Sequence, residues 1–290
     1  MRDYVILTDS SCDLSQEMAD ELGVVVAPLT VMIDGNSYRN YLDGREIAFQ
    51  EFYSKLRAGK QGSTSAVNVD EFCSAMRGPL QEGKDILYLG FSSGLSATYQ
   101  SGTLAAEDMR SEYPEATILA VDTLSASMGQ GLLVYLAVQE KRKGMTIQEL
   151  RDYVEGIKLS IAHWFTVDDL NHLKRGGRIS AAAALLGSTL NIKPILHVDN
   201  EGHLISVGKV RGRRQSIKKL LEEMSANGVD FAEQTVFISH GDALEDAELL
   251  ADMIRESLSV KEVVINYIGP VIGAHSGPGT IALFFLAKGR

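Results

Sequence analysis

The 290-residue chain is poor in the residues that build specialised scaffolds, with two cysteines, six prolines and one tryptophan. Cys12 and Cys73 supply no disulfide framework and lack the company a zinc site needs, so no metal and no cofactor is expected. Apolar runs such as Leu132 to Val138 fall far short of a bilayer span. Asp3 and Asp9 come too early for a secretory signal. Positive charge is also scarce. The formal net charge of −10 counts against a general nucleic-acid-binding role. These absences predict a cytoplasmic protein without stable membrane insertion.

What is present is ordinary globular material, 45% apolar and 23% charged, in a chain long enough for two domains. Strand and helix signals alternate through the first half. Tyr4 to Leu7 reads as a strand closed by Thr8-Asp9-Ser10-Ser11. Asp13 with Gln16 predicts a helix start, and Gly23 a helix end. Val24 to Ile33 reads as one strand, Ile47 to Leu56 as a helix, and Gly62 to Ser65 as a polar loop. Asn68 with Glu71 and Thr146 with Glu149 are capping-box pairs. Asp85 to Ser92 and Ala116 to Asp122 read as strands, with helices over Leu95 to Arg110 and Ser127 to Arg142. Repeated β-then-α units predict a mainly parallel sheet with helices on both faces, over residues 1–160. Ligands in such folds gather beyond the carboxyl ends of strands, where the loops 8–11, 62–65 and 92–96 are rich in hydroxyls.

The second half has another texture. Pro194 to Val198 and Leu204 to Val210 flank the hairpin signature Asp199-Asn200-Glu201-Gly202. Further strands are predicted at Val236 to Ser239, Val263 to Ile268 and Ile281 to Leu286, a helix at Ala243 to Leu258, and good helix at Ala181 to Ala184. This predicts a mixed α+β domain over 161–290.

The segment Gly90-Phe91-Ser92-Ser93-Gly94 spells G-x-S-x-G, the elbow of many serine hydrolases. A hydrolase would need a histidine base, and His275 keeps the required chain order, whereas Asp242 follows His240 and breaks it. No HGGG-type segment precedes the elbow. The same residues suit a holding role. A helix starting near Leu95 would offer unpaired N–H groups and a partial positive charge, with Ser93 and Ser96 as hydroxyl donors. Thr64 and Ser65, and the turn His275-Ser276-Gly277-Pro278-Gly279, add donors that suit a carboxylate or a phosphate. Two basic islands, Lys174 to Arg178 and Lys209 to Arg214, stand out in an acidic chain but lack the interleaved aromatics of a nucleic-acid reader.

The chain resembles the DegV family of bacterial fatty-acid-binding proteins nearly end to end. "VILTDSSCDLS" is similar to that family's opening, "STSAVNVDEF" to its TSQPS-type loop and "FSSGLSATYQSG" to its SSGLSGTYQSA-type segment, while "LNHLKRGGRIS" and "HSGPGTIAL" resemble its later motifs. The chain departs from the pattern at Ala66-Val67, where Gln-Pro is usual, and at Ala97, where glycine is usual. The resemblance implies a two-domain protein with a tunnel between the domains for a long-chain fatty acid. It further implies presentation of the carboxyl group to a separate ATP-dependent kinase subunit that forms an acyl phosphate, with no turnover by the carrier itself. Carried over by motif, Thr64, Ser93 and His275 would contact the carboxylate, with Ser65, Gly94 and Ser276 beside them, and Arg175, Arg178 and Arg211 would dock the kinase.

Overall fold

The computed structural model describes residues 2–179 and 191–290. The helix expected at Ala181 to Ala184 lies outside the described residues.

Seven strands form the first half: β1 (Tyr4–Asp9), β2 (Val25–Ala27), β3 (Thr30–Ile33), β4 (Asn36–Arg39), β5 (Gly62–Ser65), β6 (Asp85–Gly90) and β7 (Ile118–Asp122). A parallel sheet runs in the order β2-β1-β6-β7. Strand β6 is buried at every position, as expected of a strand covered on both faces. Helices Val69–Gln81 and Thr98–Glu112 bury Phe72, Met76, Ala105 and Met109 on one face. Helices Met128–Arg142 and Ile147–Ile157 bury Leu132, Leu133, Leu150 and Val154 on the other. Both capping boxes are formed, at Asn68/Glu71 and Thr146/Glu149.

The second half supplies β8 (Ile161–Thr166), β9 (Ile192–Val198), β10 (Leu204–Arg211), β11 (Thr235–His240), β12 (Glu262–Tyr267) and β13 (Ile281–Leu286). They form a mixed sheet in the order β10-β9-β8-β13-β11-β12, antiparallel except for β11 with β12. The α/β fold class is as expected. The parallel sheet is drawn from residues before 161 and the mixed sheet from 161 onward. Helix Met128–Arg142 lies between them, touching β1 and β6 on one side and β8, β11 and β13 on the other.

Several local expectations are corrected. The single strand expected over Val24 to Ile33 is broken at Pro28, because proline donates no ladder hydrogen bond. Its halves enter different sheets, and β3 joins β4 and β5 in a small antiparallel sheet. Thr64 and Ser65 therefore sit on a strand, held opposite Val31 and Thr30, and not in a loop. The first helix is capped by Ser15, whose side chain accepts from Met18 N (3.1 Å), and not by Asp13, which is buried in a left-handed conformation. The helix expected from Leu95 begins at Thr98. Lys209 to Arg211 of the second basic island end β10, and helix Arg213–Asn227 starts at its last two residues, where no helix was expected. His275 and Ser276 end a short helix, Pro270–Ser276, instead of lying in a turn.

Candidate functional site

A cavity of about 250 Å³ opens between the two sheets. Most of its wall is apolar, including Leu29, Phe91, Phe165, Leu204, Val271 and Phe284. Of the last-strand trio Phe284, Phe285 and Leu286, only Phe284 is on the wall. Alternation turns Phe285 to the opposite face, into the cluster of Leu220, Leu250 and Ile254.

One end of the cavity is polar. Thr64 Oγ1 and His275 Nε2 lie 2.8 Å apart, brought together from β5 and the short helix across 211 residues of sequence. Burial, and secondarily the charge of Arg178, push the His275 pKa down to about 4, so the ring is neutral at ordinary pH. Among the described residues its Nδ1 has no hydrogen-bond partner, and neither has the hydroxyl of Ser276, a residue 5% exposed. The ring needs Gly176 of the first basic island, since a Cβ there would meet Nδ1 at 2.1 Å. The short helix is itself anchored at its start. Gly269 N donates to Asp13 Oδ1 (2.9 Å), Tyr53 Oη donates to Ile268 O (2.8 Å), and Pro270 opens the helix.

Thr64, Ser65, His275 and Ser276 all line the cavity. Ser93 and Gly94 do not. Ser92 O accepts from both Leu95 N (3.0 Å) and Ser96 N (3.2 Å), and this tight turn throws residues 93 and 94 outward. Ser93 is exposed and its N–H donates to Asp122 Oδ1 (3.2 Å). Gly94 packs against the β9–β10 hairpin, where a Cβ would meet Glu201 O at 2.8 Å. Ser96 and Ala97 take the expected place on the wall. The hydrolase geometry is likewise not formed here. Ser92 is fully buried and its hydroxyl donates to Gly202 O (2.9 Å), while His275 Nε2 faces Thr64.

A second, polar chamber of about 310 Å³ shares Thr64, Arg178 and His275 with the apolar cavity and adds Gln61, His172 and Arg175. Arg175 is exposed, with Nη2 at 3.1 Å from His172 Nδ1. Arg178 is half-buried, its guanidinium donating to Leu95 O (3.2 Å) and Gly176 O. Arg211 lies apart, exposed at the end of β10 and on neither wall. Within the second island Arg213 pairs with Asp246 (2.8 Å), and beyond it Lys219 pairs with Glu223 (2.8 Å).

The hydroxyl-rich stretch 8–11 plays no part in the wall. Thr8 Oγ1 donates to Leu89 O (2.8 Å), Ser10 Oγ accepts from Leu29 N (3.0 Å), and Asp9 accepts from Phe91 N (3.0 Å) and from Ser11. Among the described residues no cluster of three or more His, Cys, Asp or Glu could hold a metal, and no helix is long and apolar enough to cross a membrane.

A family model described as an uncharacterised protein of the DegV family matches residues 3–288. A DegV domain-containing protein of Clostridium perfringens is 48% identical over 286 residues, covering 99% of this chain and 98% of that protein. Among solved structures, a DegV family protein of Thermus thermophilus described as fatty acid binding superposes with a TM-score of 0.86 at 32% identity, covering 99% of this chain and all of that one. A DegV lipid-binding protein of Thermotoga maritima gives 0.88 at 28% identity, with 99% of each chain covered.

Proposed function

Because the chain belongs to the DegV family, we propose that it binds a long-chain fatty acid between the lobes 1–160 and 161–290 and presents its carboxyl group to a separate ATP-dependent kinase subunit. The observation that carries the reading is the form of the cavity. It is apolar along most of its length and ends at Thr64, His275 and Ser276, where the Ser276 hydroxyl has no hydrogen-bond partner among the described residues. Leaving about 250 Å³ unpacked forfeits on the order of 6 kcal/mol at ~24 cal/mol per Å³, comparable with the whole net stability of a typical domain. A space held open at that cost serves an occupant.

The tail supplies affinity at roughly 0.8 kcal/mol per buried methylene, and the head fixes direction. At the head, His275 Nε2–H donates to Thr64 Oγ1, which frees the Thr64 hydroxyl proton for one carboxylate oxygen. Ser276 Oγ donates to the carboxylate as well, and Ser96 stands where Ser93 was expected. Neutral donors suffice, because a carboxylate in an apolar setting needs hydrogen bonds more than a counter-charge that would hold it too firmly for transfer.

The head lies at the wall shared with the basic chamber, so the carboxylate faces outward through Thr64 and His275. On the kinase, a carboxylate oxygen takes the terminal phosphoryl group of ATP and ADP leaves. The carrier performs no turnover of its own. Arg175 and Arg178 at the chamber, with Arg211 beyond it, dock the kinase electrostatically, a contact that weakens with salt. Reconstitution with the kinase, ATP and a labelled fatty acid tests the reading. Acyl phosphate should form only when both proteins are present, and Arg211→Ala should cut formation while leaving retained fatty acid unchanged. Loss of the fatty acid from that variant would contradict the docking role.

A further inference from the structure

The cavity wall owes much to one short helix, Pro270–Ser276, which supplies Val271, Ile272, His275 and Ser276. A helix of seven residues does not stand alone, so its anchors decide where the head group sits. One anchor is Asp13, from the segment that follows β1. Its Oδ1 accepts from Gly269 N (2.9 Å), just before Pro270, and its main-chain O accepts from Asn266 Nδ2 (2.9 Å). Its Oδ2 accepts from the hydroxyl of Ser127 (2.6 Å), which lines the cavity. With that proton committed, Ser127 Oγ accepts in turn from Ser239 Oγ (3.0 Å). A single carboxyl thus ties the segment after β1 to the start of helix Met128–Arg142 and to the helix that bears the head-group residues.

This carboxyl is buried, and among the described residues no cation is paired with it. The titratable groups around it are Asp9 and Cys12 from its own segment and Tyr53 from helix Phe49–Arg57, with Tyr41 and Tyr267 beside it on a small recess. None of these can carry a positive charge. His240 follows Ser239 on β11, but its ring lies against Tyr267, 4.3 Å between centroids. His275, neutral at ordinary pH, and Arg178 stand at the far end of the short helix. Burial, opposed by the bonds from Ser127 and Gly269 and aided by Asp9, pushes the Asp13 pKa up to about 7. Asparagine would accept from Gly269 N, donate to Ser127 Oγ and suit the left-handed φ of 51 equally well. What the carboxyl adds is the ability to ionise.

We propose that Asp13 couples binding of an anionic head group to uptake of a proton, so that the cavity holds a carboxylate more tightly on the acid side of neutrality than on the alkaline side. At 1.5 Å per residue, the helix sets the head about 10 Å from the Gly269 end where Asp13 is bound. Two negative charges at that separation inside a protein oppose each other by about tenfold in the proton equilibrium. A bound carboxylate therefore makes the loaded chain keep the Asp13 proton to higher pH than the empty chain. Affinity is full below about pH 7, where Asp13 is protonated in both states, and falls as the pH rises through 7. The fall ends about one pH unit higher, where both states are ionised. This inference rests on the fatty-acid reading and adds a regulation of the same site.

The test titrates tetradecanoic acid and tetradecan-1-ol calorimetrically into the lipid-stripped full chain and into Asp13→Asn, from about pH 6 to about pH 9. Near the Asp13 midpoint each titration is run in two buffers of different ionisation enthalpy, which counts the protons taken up. The unaltered chain should take up about half a proton more per tetradecanoic acid than Asp13→Asn does. The ratio of their affinities for the acid should fall about tenfold from pH 6 to pH 9. Comparison at each pH cancels the titration of the ligand itself and of His275. Tetradecan-1-ol brings no charge and should show neither difference, and on the unaltered chain alone the acid should take up more protons than the alcohol. Equal uptake for acid and alcohol on the unaltered chain, or for the acid on both proteins, would overturn the coupling while leaving fatty-acid binding intact. Failure of the unaltered chain to bind the acid at any pH would overturn both.

Discussion

Two groups of polar residues look alike in sequence and differ in use. Thr8, Asp9, Ser10 and Ser11 are fully buried, and their hydrogen bonds go to Leu89, Phe91, Leu29 and one another. Thr64, His275 and Ser276 stand beside a cavity, and the Ser276 hydroxyl has no hydrogen-bond partner among the described residues. A satisfied buried polar group joins parts of the fold. An unsatisfied one beside open space points to a ligand, since a native protein keeps few such groups. The physical difference is where the hydrogen bonds end.

The sharpest way to break this comparison is to remove a member of each group. Asp9→Ala strands the Phe91 and Ser11 N–H groups in the core, and should cost about 3 kcal/mol of unfolding free energy in denaturant titration. A loss below about 1 kcal/mol would show that the 8–11 stretch is not the structural node described here. The double variant Thr64→Val/Ser276→Ala should lower fatty-acid affinity roughly 30-fold, while its unfolding free energy changes by about 1 kcal/mol or less. Equal losses of stability and affinity would erase the distinction between the two groups.

Titration separates two buried groups in the same spirit. His275 has a folded pKa of about 4 against an ordinary 6.5, so between those values the unfolded chain binds the proton and the folded one does not. The stability it contributes is present above about pH 6.5 and is lost as the pH falls through 4. Asp13, pushed up to about 7 chiefly by burial, has the opposite sign. Its contribution is present below the ordinary carboxylate range and is lost as the pH rises through 7. Thermal unfolding as a function of pH should therefore lose part of its acid-side decline in His275→Gln, and part of its decline toward pH 7 in Asp13→Asn. Profiles of both variants parallel to that of the unaltered chain would refute the assignments. The smallest effect belongs to Ser93→Ala. This side chain is exposed and off the wall, so affinity should stay within about twofold. A tenfold loss would return Ser93 to the head-group site.

Much of this was legible in the sequence where local signals are strong. The capping boxes at Asn68 and Thr146, strand β13 and the hairpin around Asp199 follow from short-range chemistry, and Thr64, His275 and Ser276 follow from motif resemblance. Misreadings came where a long-range partner decides. Gly62 to Ser65 carries no strand signal, yet β3 recruits it as an edge. Ser93 and Ser96 are equivalent hydroxyls on paper, and only the turn closed by Ser92 O sends one outward and the other to the wall.

The most direct measurement denatures the purified chain, extracts lipid and quantifies it by mass spectrometry. The account predicts about one long-chain fatty acid per protein molecule, retained through purification by burial of its tail. Repeated recovery of no acyl chain, from protein also incubated with fatty acid beforehand, would contradict it.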